Sequence, residues 1–194
     1  WSSDVCSSDL SIGTKTCLTF FHFMMQNISK ALTIGLIMIA WLTARSGDVQ
    51  VGLPAPDFTL KDEHGKEHTL SDYLGKRVVV YFFPKAETPG WTKQACGFRD
   101  VFDTYIEKEI VVLGISYDKP EKLLKFKKKH NLPFTFLSDR KKKVAKLYQS
   151  GNFLFANRNT YVIDKEGRIE KIYDKVNVNT HAAEILKYFE NDDK

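Results

Sequence analysis

Cysteine is scarce: three in 194 residues, at positions 6, 17 and 96. Only Cys96 falls in the part that reads as folded, so neither a disulfide framework nor a cysteine-held zinc site can be built. The five histidines show no metal-ligand spacing. The one close pair, His64 and His68, flanks Gly65 in a charged turn and reads as solvated. Neither a cofactor nor a metal is expected. Charge of one sign is not in large excess: 29 Lys and Arg stand against 24 Asp and Glu, a net +5 that by itself implies no polyanionic partner. The basic runs Lys122 to Lys129 and Arg140 to Lys146 alternate with Leu123, Leu124, Phe126, Val144 and Leu147. They read as solvated helix faces, and no nucleic-acid partner is expected. Internal repeats and low-complexity segments are absent. What remains, 43% hydrophobic and 27% charged, suits one ordinary globular domain and excludes wholesale disorder.

The first fifty residues stand apart. Residue 1 is not Met, and Trp1 to Leu10 has no periodicity and resembles a translated adapter. Residues 1–23 are therefore expected to be a spurious or disordered tail outside the fold. From Met24 the order is Lys30, an apolar run Ala31 to Leu42, then small residues Ala44 and Ser46. The run falls short of the ~20 residues a spanning helix needs. Residues 24–46 are expected to form an export signal cleaved near Ser46, giving a periplasmic or extracellular protein. The alternative is a membrane anchor over residues 31–44. Residues 47–194 form the folded domain.

Along that domain, Phe58 to Leu60 starts a strand, Asp62 to Glu67 makes a hairpin-like turn, and Leu70 to Gly75 is one helical turn with Ser71 as N-cap. Val78 to Phe83 is an unbroken β-branched and aromatic run, a buried strand. Pro84 to Gly90 is a tight loop. Ala95, Phe98, Val101, Phe102, Tyr105 and Ile106 have the spacing of a helix that follows it. Ile110 to Ser116 is a strand, Lys119 to Asn131 a helix, Pro133 to Leu137 a strand and Lys141 to Tyr148 a helix. Thr160 to Asp164 and Arg168 to Tyr173 form an antiparallel hairpin, and His181 to Glu190 closes the chain as an amphipathic helix. The order fits an α/β thioredoxin-like fold, a central mixed sheet flanked by helices.

A strand that feeds a helix through a short loop aims unpaired N–H groups and the positive end of the helix dipole at one spot. Such a spot suits a thiolate or an anionic transition state. At that spot the chain reads Pro84, Thr88-Pro-Gly, Thr92, then Ala95-Cys-Gly-Phe-Arg-Asp100. This stretch resembles the active-site segment of the peroxiredoxins, in particular the bacterioferritin-comigratory (Q-type) group. That group carries Pro-x-x-x-Thr-x-x-Cys and a second cysteine five residues on. The opening Gly52 to Leu60 is similar to the same family, and the resemblance spans about residues 50 to 190. It departs at one place: the position of the peroxide-attacking cysteine is Trp91, while the second cysteine is present as Cys96.

The resemblance implies a thiol peroxidase that reduces hydrogen peroxide and alkyl hydroperoxides, with a thioredoxin-like dithiol as reductant, as a monomer or a homodimer. It implies that Thr88 bonds the thiolate or peroxide, that Pro84 shields the site from water, and that Arg158, just before the last hairpin, lowers the thiol pKa. It implies Cys96 as the resolving thiol. Without that resemblance, Thr88 reads as an N-cap ahead of Pro89 at the first helical position, Arg158 as a surface charge, and Arg99 and Asp100 as a helix-surface pair. Trp91 cannot displace an oxygen or form a sulfenic acid. Three readings follow: a pseudo-enzyme that keeps the fold, a sequence error, since Cys codons differ from the Trp codon by one base, or take-over by Cys96, which sits more than a turn past the helix start. A lone helix cysteine is more often an inert small hydrophobe than a nucleophile. The competing class is a non-catalytic thioredoxin-fold binding module.

Overall fold

The computed structural model describes residues 49–151 and 156–192. The tail expected over residues 1–23 and the export segment or anchor expected over residues 24–46 lie outside the described residues. No described helix is long and apolar enough to cross a membrane.

The unbroken apolar run becomes β3 (Val78–Phe82), buried along its whole length in the interior of a seven-stranded sheet. Its two sides face two different cores. Val79, Tyr81 and Phe83 point into one, while Val78, Val80 and Phe82 point into the other, as the period-2 alternation of a strand requires. A strand buried on both faces has no polar side to show, which is why it reads as continuous rather than alternating.

Before it, β1 (Thr59–Asp62) and β2 (Glu67–Thr69) pair antiparallel across the Asp62–Glu67 turn. After it come α1 (Pro89–Asp100), α2 (Phe102–Glu107), β4 (Val111–Ser116) and α3 (Pro120–Lys129). They are followed by β5 (Thr135–Ser138), α4 (Lys143–Leu147), β6 (Thr160–Ile163), β7 (Ile169–Tyr173) and α5 (His181–Asp192). The sheet order is β2-β1-β5-β4-β3-β6-β7. β3, β4 and β5 run parallel, and β1, β6 and β7 join antiparallel. This is the mixed sheet of a thioredoxin-like fold. Side chains from α1, α2, α3 and α5 fill one core; Val144, Ala145 and Tyr148 of the α4 segment cover the other. At Gly114 in β4 there is no room for a side chain: a Cβ would lie 2.8 Å from the Tyr81 hydroxyl and 2.9 Å from Phe136. The missing atom lets the Tyr81 ring cross the strand and stack on Phe98 of α1, 5.1 Å between centroids.

Three local expectations are corrected. The helix expected through Ile106 is two helices: Val101 leaves the helical region (φ −119°, ψ 16°) and α2 starts anew. The break turns Tyr105 into the core and leaves Ile106 59% exposed. The cap of the turn at Leu70–Tyr73 is Thr69, whose N–H donates to Asp72 at 3.2 Å. Ser71 instead donates its N–H and hydroxyl to Asp57, at 3.1 and 3.0 Å. His64 is solvated, but His68 is not. Its ring nitrogens bond the Tyr73 hydroxyl at 2.6 Å and Asp62 at 3.0 Å. Burial alone would raise the Asp62 carboxyl. The His68 bond and the N–H groups of His64 and Lys66 outweigh it and hold the group below the usual carboxylate range.

Candidate functional site

The site is built where β3 hands over to α1. Phe83 ends the strand by donating its N–H to Ile115 at 3.0 Å. The loop from Pro84 is then held from the side by Asp118, just past β4. One Asp118 oxygen accepts the Ala86 N–H at 2.6 Å and the Ser116 hydroxyl at 3.2 Å; the other accepts the Lys122 ammonium at 2.8 Å. Glu87 takes a left-handed conformation (φ 72°), uncommon for a residue with a Cβ. This one-residue kink sets Thr88 at the N-cap in extended geometry and Pro89 as the first helical residue. Sequence reasoning missed Asp118. Its position right after an apolar strand, on the same rim as the loop, was the available signal.

Trp91 sits in the first turn of α1, 2% exposed. Its ring lies 5.5 Å from that of Phe83. Arg158 also lies over the ring, its guanidinium carbon 5.0 Å from the centroid. Such a cation–π contact is worth about 0.5–1 kcal/mol at an exposed site. Arg158 reaches this place because the segment before β6 runs beside β3: Phe82 donates its N–H to Asn159 at 2.9 Å, and Asn157 donates to Ser150 at 2.8 Å. Gly90 makes the approach possible, since a Cβ there would stand 3.1 Å from a guanidinium nitrogen.

The structure therefore brings Trp91 and Arg158 together, 67 residues apart in sequence. Thr88 adjoins them at the helix start. Its carbonyl accepts the N–H groups of Trp91 and Thr92, both at 3.0 Å. Its hydroxyl donates to the Lys85 carbonyl at 3.2 Å and does not cap the helix. Pro84 is half-buried and opens the loop. Cys96 is not part of this cluster. Five residues along a helix is about 7.5 Å of rise and about 140° of rotation. Its half-buried thiol is free and borders an open groove of about 520 Å³ lined by Glu87, Thr92, Lys93, Lys129 and His130. Arg99 and Asp100 do pair, at 2.7 Å, and Arg99 also donates to the His130 carbonyl at 3.0 Å, pinning α1 to the end of α3.

The start of α1, with a buried ring and a guanidinium beside it, stands just past the carboxyl end of β3, where unpaired N–H groups and the helix dipole favour negative charge. Comparison with known proteins decides the family. Residues 51–172 match the AhpC/TSA family. The chain belongs to that family. It is 44% identical to "Peroxiredoxin Bcp" of Bacillus subtilis over 147 residues, 72% of this chain and 94% of the relative. It is 45% identical to "Peroxiredoxin Q, chloroplastic" of Triticum aestivum over 149 residues, 75% of this chain and 69% of the relative. Among solved structures, peroxidoxin BcpB of Mycobacterium tuberculosis superposes with a TM-score of 0.69 at 31% identity, over 74% of this chain and 97% of that one. The chain is thus a homologue of the Bcp and Q-type peroxiredoxins, a family of thiol peroxidases whose membership implies a peroxide substrate and a thioredoxin-type reductant.

Proposed function

We propose that this chain is a Q-type peroxiredoxin scaffold that, with Trp91 in place, does not turn over peroxide. The carrying observation is the burial of Trp91 against Phe83 and Arg158 at the start of α1. Peroxide reduction requires a thiolate to attack one peroxide oxygen. The O–O bond breaks, the leaving oxygen departs as alkoxide and takes up a proton, and the sulfur becomes a sulfenic acid. Indole offers no such electron pair, and its bulk fills the volume a small peroxide would occupy. Cys96 lies more than a turn further on, where the field of the helix start has fallen away. In a coupled thioredoxin and thioredoxin reductase assay, the chain is expected to consume hydrogen peroxide no faster than buffer. Turnover that Cys96→Ser abolishes would overturn this reading and make Cys96 the nucleophile.

The supports of the site favour a second statement: only the sulfur is missing. Arg158 reaches the helix start, Gly90 leaves room for it, and Asp118 holds the loop. Under this reading Cys96 keeps the resolving role, Thr88 and Pro84 line the peroxide site, and the reductant is a thioredoxin-like dithiol. We further infer that residues 24–46 direct export, from the charged, apolar and small-residue order Lys30, Ala31 to Leu42, Ala44 and Ser46. Fractionation of producing cells is expected to place a shortened chain outside the cytoplasm. A full-length cytoplasmic chain would contradict export.

A further inference from the structure

A second cleft lies on the same rim of the sheet, beyond the carboxyl end of β5, where the parallel set meets the antiparallel strand β1 through Lys61↔Ser138 and Asp62↔Leu137. Open α/β folds bind ligands outside the carboxyl ends of their parallel strands. The cleft has a volume of about 430 Å³, within the roughly 300–1,000 Å³ of small-molecule sites. It is separate from the Trp91 site, which lies past β3.

Its chemistry is one-sided. The floor is apolar, with Leu60 and the buried Val144. The rim carries Lys61, Arg140, Lys141 and Lys143. Two acids share the lining, and both are already engaged. Asp139 is 1% exposed and accepts the N–H groups of Lys143 and Ala145, at 2.9 and 2.8 Å. Glu67 faces Lys61 at 4.0 Å. The ammonium groups of Lys141 and Lys143 have no carboxylate partner among the described residues, and Arg140 makes one long bond, 3.4 Å, to the Tyr117 carbonyl. Lys142, between them, is placed elsewhere, its ammonium 5.4 Å from the Tyr117 ring centroid. Its backbone is left-handed (φ 55°). Several uncompensated cations around an apolar floor fit a ligand with several negative charges on an apolar ring body.

We propose that this cleft binds a nucleoside polyphosphate, its ring on Leu60 and Val144 and its phosphates across Arg140, Lys141 and Lys143. The test is calorimetric titration of the full chain with ADP, with pyrophosphate and with adenosine. ADP is expected to bind with a dissociation constant below about 1 mM at low salt, and more weakly as salt screens the phosphates. The double variant Lys141→Ala, Lys143→Ala is expected to bind ADP at least tenfold more weakly with an unchanged unfolding midpoint, since both side chains are exposed. Pyrophosphate and adenosine are each expected to bind more weakly than ADP. Absence of ADP binding at about 5 mM, far above that range, would overturn the proposal. So would unchanged affinity in the double variant, or pyrophosphate binding as tightly as ADP, which would leave the apolar floor without a role.

Discussion

Trp91→Cys is expected to give the chain thiol peroxidase activity and, in the same step, to make it less stable. The gain follows from the supports. A thiolate placed there would stand in the first turn of α1, under the helix dipole and facing the Arg158 guanidinium that now lies 5.0 Å from the indole. Both favour the charged form of sulfur. The space vacated by the indole is what a hydroperoxide needs. Against an uncatalysed background, peroxide consumption is expected to rise by at least about a thousandfold, a modest figure for an enzyme. The loss follows from packing. Trp91 is 2% exposed and touches Phe83, and removing a buried tryptophan costs about 3–5 kcal/mol when nothing replaces it. A cysteine keeps one heavy atom and water can enter, so a loss of about 2–4 kcal/mol is expected. Urea unfolding of both chains reads this as a lower midpoint. Activity without destabilisation would mean that the indole is not a packing element. Destabilisation without activity would mean that more than the sulfur is missing.

The second large effect is acid lability set by His181. This residue opens α5 and is 1% exposed. One ring nitrogen meets the Thr160 hydroxyl at 2.9 Å, and the other is buried with no hydrogen-bond partner among the described residues. The ring stands edge-on to Phe98 of α1 and to Tyr173 of β7. Burial pushes its pKa down to about 4, with Glu184 pulling weakly the other way. A histidine in the unfolded chain titrates near 6.5. Between those values the unfolded chain takes up a proton that the folded chain refuses. The stabilisation is therefore fully present above about pH 6.5 and is lost as pH falls toward 4. Between pH 7.5 and pH 5 the loss amounts to about 2 kcal/mol. Urea midpoints at the two pH values, compared with His181→Gln, check it. Gln cannot titrate, so its stability is expected to change by less over that interval. Equal pH dependence in both chains would assign the acid sensitivity to other groups.

Much of this fold is legible in the sequence, for physical reasons that differ by element. β3 reads clearly because both of its faces are buried and every residue is apolar. The β6–β7 hairpin reads clearly because Lys165 to Gly167 is turn chemistry between two runs rich in β-branched and aromatic residues. The break at Val101 does not show, because apolar residues keep helical spacing across it; only the packing of Tyr105 against α5, with its hydroxyl on the Ala182 carbonyl at 2.8 Å, decides it. His68 looks solvated because its partners, Asp62 and Tyr73, are brought to it by a turn and a cap rather than by sequence spacing. At the candidate site, the strand–loop–helix frame and the place of Trp91 can be read directly. The stacking of Arg158 on that indole cannot, because it depends on β6 lying beside β3. Asp118 is invisible for the same reason: a loop of one crossover is tied by the carboxylate of the next.

The most direct test is the intact mass of the reduced chain, as written and as Trp91→Cys, after one equivalent of hydrogen peroxide without a reductant, with peptide mapping to locate any change. The written chain is predicted to keep Cys96 as a free thiol. The substituted chain is predicted to lose two hydrogens, about 2 Da, as its new sulfenic acid condenses with Cys96. That bond needs α1 to unwind locally, since residues five apart in a helix are separated by more than the roughly 7 Å a disulfide can span between α-carbons. Oxidation of Cys96 in the written chain as fast as in the substituted one would contradict the account, because peroxide would then be reaching a working nucleophile that Trp91 neither replaces nor blocks.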